Sequence, residues 1–97
     1  MTETLALAMA RFSSEMSTLE GVKTLSATLD NATDYDIVSR AVDDLAQEHN
    51  IYIGGKRWLR TNTGDYELRV GCARTDKEWF NKYEGGYKGV KYDDFRL

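Results

Sequence analysis

Along the first twenty residues the apolar positions fall at Leu5, Met9, Phe12, Met16 and Leu19. Their spacings of four, three, four and three trace one face of a helix. Thr2 or Thr4 caps its start, and Gly21 is the expected stop. Residues 22–32 carry two overlapping patterns. Val22, Leu25 and Leu29 fit a helical face, while Leu25, Ala27 and Leu29 alternate as in a strand. A short helix or an irregular connection is expected there. Residues 34–49 give the clearest helical signal. Thr33 and Asp34 are capping residues, and Asp36 lies in the first turn, where a carboxylate meets the positive end of the helix dipole. Val38, Ala41, Val42, Leu45 and His49 form its apolar stripe, and Asn50 ends it.

After Asn50 the period falls from 3.6 to 2. Ile51 to Ile53 starts a strand, Gly54-Gly55 is a turn or bulge, and Lys56 to Thr61 is a strand. Asn62-Thr63-Gly64-Asp65 is a hairpin turn with a glycine free to take a positive φ. Tyr66, Leu68, Val70 and Cys72 then alternate with Glu67, Arg69 and Gly71, as in a strand with one wet face. Thr75 and Glu78 have capping-box spacing, and they predict a short helix carrying Trp79, Phe80 and Tyr83. Gly85-Gly86 stops it, and Tyr87 to Tyr92 reads as a last strand. The expected fold is a single α+β domain over residues 1–97. Two N-terminal helices pack on a three- to four-stranded antiparallel sheet, with a short helix before the last strand.

Composition narrows the function classes. One cysteine (Cys72) permits no internal disulfide, and with one histidine (His49) a structural zinc site has too few ligands. No apolar run approaches the ~20 residues that span a bilayer. Leu5 to Ala10 lacks a positive flank and runs into Arg11, so it does not read as a signal peptide. The expected location is the cytosol, of a bacterium or of a virus-infected host, with no membrane partner. Gly54-Gly55 and Gly85-Gly86 lack the spacing of a nucleotide-binding loop. Cys72 and His49 fall on apolar faces, where an inert thiol and a helix-terminal imidazole outweigh a catalytic dyad. No enzyme activity, cofactor, metal or small-molecule substrate is expected.

Charge is distributed unevenly. Residues 1–50 hold nine acids and three bases, a balance of −6. Residues 51–97 hold seven acids and ten bases, a balance of +3. Asp30, Asp34, Asp36, Asp43, Asp44 and Glu48 fall within nineteen residues, with Arg40 the one base among them. On a helix, Asp36, Arg40, Asp43 and Gln47 share one face, and Asp44 and Glu48 flank it. Asp36 and Asp43 would lie about 10 Å apart along the axis. Carboxylates so spaced can stand in for phosphates before a basic nucleic-acid-binding surface. The plainer reading is the ordinary polar side of a surface helix. The second constellation is basic and aromatic: Arg57, Trp58, Arg60, Arg69, Arg74, Lys77, Lys82, Tyr83, Tyr87, Lys88, Lys91 and Tyr92. Aromatics interleaved with Arg and Lys on strands hold single-stranded nucleic acid by stacking and phosphate contact. This is the alternative surface, with Arg57, Arg60, Arg69, Lys88, Lys91 and Tyr92 as its contacts. The plainer reading here is a core of aromatics under a mixed surface.

Small size, one cysteine, an acidic helix and a small antiparallel sheet together resemble the phage-encoded anti-CRISPR proteins directed at type I-F surveillance complexes. The similarity covers the whole chain and is one of general character, without a diagnostic motif. It implies an inhibitor in the host bacterial cytoplasm whose partner is a protein complex with a basic DNA-binding surface, a CRISPR effector. Some proteins of that class imitate double-stranded DNA. The net charge of −3 departs from the strongly acidic mimics, so any mimic surface here is local.

Overall fold

A computed structural model describes residues 2–74. The element order is α1 (Leu5–Ser17), β1 (Val22–Leu29), α2 (Tyr35–Glu48), β2 (Ile51–Arg60) and β3 (Tyr66–Arg74). The fold is α+β, with an antiparallel sheet in the order β1-β3-β2. This corrects the expected order. The second element is a strand, so one helix precedes β1 and the other follows it. The expected helix after Thr75 and the strand after Tyr87 lie outside the described residues.

Residues 22–29 form a strand because the period-2 pattern wins. Leu25, Ala27 and Leu29 are buried, whereas Lys23, Thr24 and Ser26 are exposed. Pairing with Leu68 and Val70 of β3 places three β1 side chains in the core, and a helix could not repeat that pairing. The two helices follow their sequence signals more closely. Thr4 caps α1, its hydroxyl accepting from the Leu7 N–H at 3.2 Å. Asp34 caps α2, and its carboxylate accepts from the Asp36 N–H at 2.9 Å. Asn50 follows the C-cap His49 with φ +54°, which turns the chain out of α2.

Both helices cover one face of the sheet. Ala8, Phe12 and Met16 of α1 and Val38, Val42 and Ala46 of α2 join Leu25, Ala27, Leu29, Leu68, Val70 and Cys72 in one buried cluster. The alternate residues of the strands, Ser26, Arg57 and Arg69 among them, face away from the helices. The register slips by one residue at Gly54, between Ile53 opposite Cys72 and Gly55 opposite Gly71. This bulge re-aims the rest of β2. Trp58 turns toward the helix side and Arg57 away from it. Gly64, at φ +86°, closes the β2–β3 hairpin as expected.

The outer edge of β1 is covered in part by the N-terminal segment. The Glu3 N–H donates to the Thr28 carbonyl at 2.8 Å, and the Arg11 guanidinium donates to the Ser26 carbonyl at 2.7 Å. Arg11 is held there by Glu3 and Glu15, and Glu15 also meets Lys23. The Arg11 contact keeps the Glu3 carboxyl below its ordinary value. Two otherwise free carbonyls of an edge strand are thereby satisfied.

Candidate functional site

The structure divides the six acidic candidates into two groups. Three serve the fold. Asp30 accepts from the Ala32 N–H at 2.8 Å in the β1–α2 connection, and Asp34 is the α2 cap. Asp43 forms an ion pair with Lys56 of β2 at 2.7 Å. The Lys56 ammonium also donates to the hydroxyl of Ser39, and its side chain is only 17% exposed. This pair ties α2 down to the sheet.

The other three acids are Asp36, Asp44 and Glu48. All are exposed, and none has a side-chain hydrogen bond or ion pair among the described residues. Asp44 and Glu48 lie one turn apart on one side of α2, with Ile37 in line about two turns before Asp44. Ile37 is 59% exposed, one of two large apolar side chains left so open among the described residues. Arg40 lies between Asp36 and Asp44, exposed and unpaired among the described residues. Among the described residues the outer face of α2 thus carries three free carboxylates and one free guanidinium, with an apolar side chain near its start. Ile37 was not singled out from the sequence. The signal was its place on the polar side of the wheel, out of step with Val38, Val42 and Leu45.

The basic and aromatic candidates do not form one surface. Trp58 stacks on Tyr66 (centroids 4.8 Å, planes 22° apart) and meets Tyr35 at 5.3 Å. Arg60 lies over the Tyr66 ring at 5.5 Å and donates to its hydroxyl at 3.3 Å. This group belongs to the helix side of the sheet, at its hairpin end. Arg57 and Arg69 are cross-strand partners on the opposite side. Arg74 is used by the fold: its guanidinium donates to the Leu19 carbonyl at 2.7 Å and the Met16 carbonyl at 3.3 Å, satisfying the end of α1. Interleaving in sequence therefore becomes separation in space. Lys77, Lys82, Tyr83, Tyr87, Lys88, Lys91 and Tyr92 lie outside the described residues.

Cys72 is fully buried on β3, and its thiol makes one hydrogen bond, to the Val70 carbonyl at 3.8 Å. Burial, with a smaller push from Glu15, raises it from 9.0 to about 12. A thiol so held is protonated at neutral pH and is a poor nucleophile. The His49 ring meets the Ser13 hydroxyl at 2.9 Å, joining α2 to α1. Among the described residues no three His, Cys, Asp or Glu side chains converge as metal ligands. No helix among them is long and apolar enough to cross a membrane. No protein-family model, curated protein or solved structure matches the chain.

Proposed function

We propose that this domain is a protein ligand that docks the outer face of α2 on a basic, DNA-binding surface of a bacterial complex and keeps DNA from it. A CRISPR surveillance complex is the partner this reading names. One observation carries the reading: Asp36, Asp44 and Glu48 are exposed and free among the described residues, while Asp30, Asp34 and Asp43 are occupied. Free carboxylates lose no internal bond when they meet Lys or Arg on a partner. Ile37 adds an apolar contact at the N-terminal end of the same stripe. The charges steer approach, and an apolar contact beside them excludes water.

The test is binding of a purified type I-F surveillance complex by surface plasmon resonance, with DNA as competitor. The Asp44→Lys, Glu48→Lys double variant should bind at least about tenfold more weakly, chiefly through slower association. Ile37→Ser should shorten the residence time. DNA and the wild-type domain should exclude one another. Full binding by the double variant, or simultaneous binding of DNA, refutes the proposal.

A further inference from the structure

We propose that the side of the sheet away from the helices carries a phosphate-binding site made by the exposed Arg57 and Arg69. This is independent of the α2 reading and lies on the opposite side of the described sheet.

The two arginines stand directly opposite one another in the β2–β3 register. Cross-strand neighbours bring their Cβ atoms to about 5 Å, and like charges there are destabilising. The fold does little to relieve this pair. Arg69 meets Glu67 at 2.6 Å and remains 46% exposed. Arg57 is exposed and has no hydrogen bond or ion pair among the described residues. The arrangement depends on the one-residue slip at Gly54. Were Gly54 paired in a regular ladder, β2 would turn Arg57 toward the helices. Ser26 is the partner of Arg69 on the other side, so a hydroxyl, a guanidinium and a second guanidinium run across three strands.

These groups suit a tetrahedral anion. Each guanidinium offers two parallel donors, and phosphate has enough oxygens to take both forks and the Ser26 hydroxyl. A planar carboxylate is satisfied by one fork. Glu67 competes for Arg69, leaving a local charge of about +1 before ligand binds. The guanidinium pair itself would recognise phosphate and not a base. The aromatics beside it in the β2–β3 ladder, Trp58 and Tyr66, sit on the far side of the sheet, and Tyr52, on the near side, stands opposite Ala73 toward the other end of the strands. The phosphate can come from a nucleic-acid backbone or from a small phosphorylated molecule, and the experiment separates these sources.

The 15N-labelled chain is titrated with inorganic phosphate and followed by NMR. Saturable shifts confined to Ser26, Arg57, Arg69 and their neighbours are expected. The Arg57→Gln, Arg69→Gln variant should lose about tenfold or more in affinity, the weight of charged hydrogen bonds. Its melting temperature should stay within a few degrees of wild type, because loss of the Arg69–Glu67 pair is offset by relief of the Arg57–Arg69 repulsion. Glu67→Gln should tighten binding a few-fold. A second titration uses short DNA and RNA duplexes at low salt. Binding far tighter than phosphate, with a steep salt dependence, assigns the site to a nucleic-acid backbone. Phosphate shifts with no tighter duplex binding assign it to a small phosphorylated ligand. Absence of saturable shifts, or shifts that persist in the double variant, overturns the site. Neither result bears on Asp44 and Glu48, which lie on the other layer.

Discussion

Reversing charge at Asp43 and at Asp44 should have unlike effects on stability, although the two are adjacent and both exposed. Asp43 holds Lys56 at 2.7 Å, and the Lys56 side chain is 17% exposed against 56% for Asp43. Exposed ion pairs contribute about 0.2–1 kcal/mol. The covered ammonium places this pair near the upper end, at about 1 kcal/mol. Asp43→Lys removes that attraction and adds repulsion of similar size, about 2 kcal/mol in all. For a domain of this length that lowers Tm by roughly 8–16 °C. Among the described residues Asp44 has no partner to lose. Asp44→Lys relieves repulsion from Glu48 one turn on and adds repulsion from Arg40 one turn back, each a few tenths of a kcal/mol. Its net effect is within about 0.5 kcal/mol. Thermal melts followed by circular dichroism measure both. Adding Lys56→Glu to Asp43→Lys should recover part of the loss, a coupling that a double-mutant cycle isolates. Equal shifts for the two reversals, or no recovery, would refute the division of the acids into structural and free. The binding consequence is direct. A loss of affinity in Asp44→Lys reports the surface, whereas one in Asp43→Lys also reports a loosened α2.

Two further perturbations probe the frame. Deleting Gly54 regularises the ladder and keeps every β2–β3 pair on either side of it, Ile53 with Cys72 and Gly55 with Gly71. Arg57 and Trp58 should therefore keep their faces and thermal unfolding should stay cooperative, while Gly54→Ala should leave the strand pairing recognisable in amide exchange. Cys72 is protonated in the fold up to about 12, whereas the unfolded chain ionises near 9.0. A raised value of this kind gives stability that is intact below pH 9.0 and is lost as pH climbs toward about 12. Urea midpoints should fall across that window more steeply for wild type than for Cys72→Ala.

Much of the frame was legible because local signals and tertiary packing agree. Thr4 and Asp34 cap where capping chemistry predicts, and of the expected α2 stripe Val38 and Val42 are fully buried, Ala41, Leu45 and His49 are half-buried, and Ala46, outside that stripe, is buried as well. Gly64 takes the positive φ the hairpin needs. The failure was at residues 22–29. Val22, Leu25 and Leu29 suit a helix as well as a strand. The deciding fact is that β3 has a free side for β1 to pair with, a non-local circumstance that no window around Leu25 contains. Thr24 and Thr28, which favour strands through their branched side chains, were the local hint.

The candidate surfaces were legible as compositions and not as arrangements. Six acids between Asp30 and Glu48 read as one row, yet three of them satisfy backbone amides or Lys56. A capping aspartate looks the same in sequence as a docking one. Position relative to the helix start separates them: Asp34 precedes α2, and Asp30 precedes a turn. The Lys56 pairing needed the sheet. On the basic side, the alternation that placed Arg57 beside Trp58 in sequence guarantees that they point to opposite faces. Period 2 alone therefore rules out a joint Arg57–Trp58 surface.

The charge polarity of the sequence has a spatial counterpart that follows from topology. Residues 1–50 are acidic and residues 51–97 basic. The helices come from the first half and form one layer, while two of the three described strands come from the second and form the other. Part of that polarity becomes a separation through the domain: Asp44 and Glu48 lie outside α2 and Arg57 and Arg69 on the opposite side of the sheet, whereas Lys56, Arg60 and Arg74 turn toward the helices. The core cluster of Phe12, Val42, Leu68 and Val70 lies between them. Two oppositely charged contacts can then be made at once without either competing for the other's side chains. Variants at Asp44 and Glu48 should therefore combine additively with variants at Arg57 and Arg69, since neither pair shares a partner with the other.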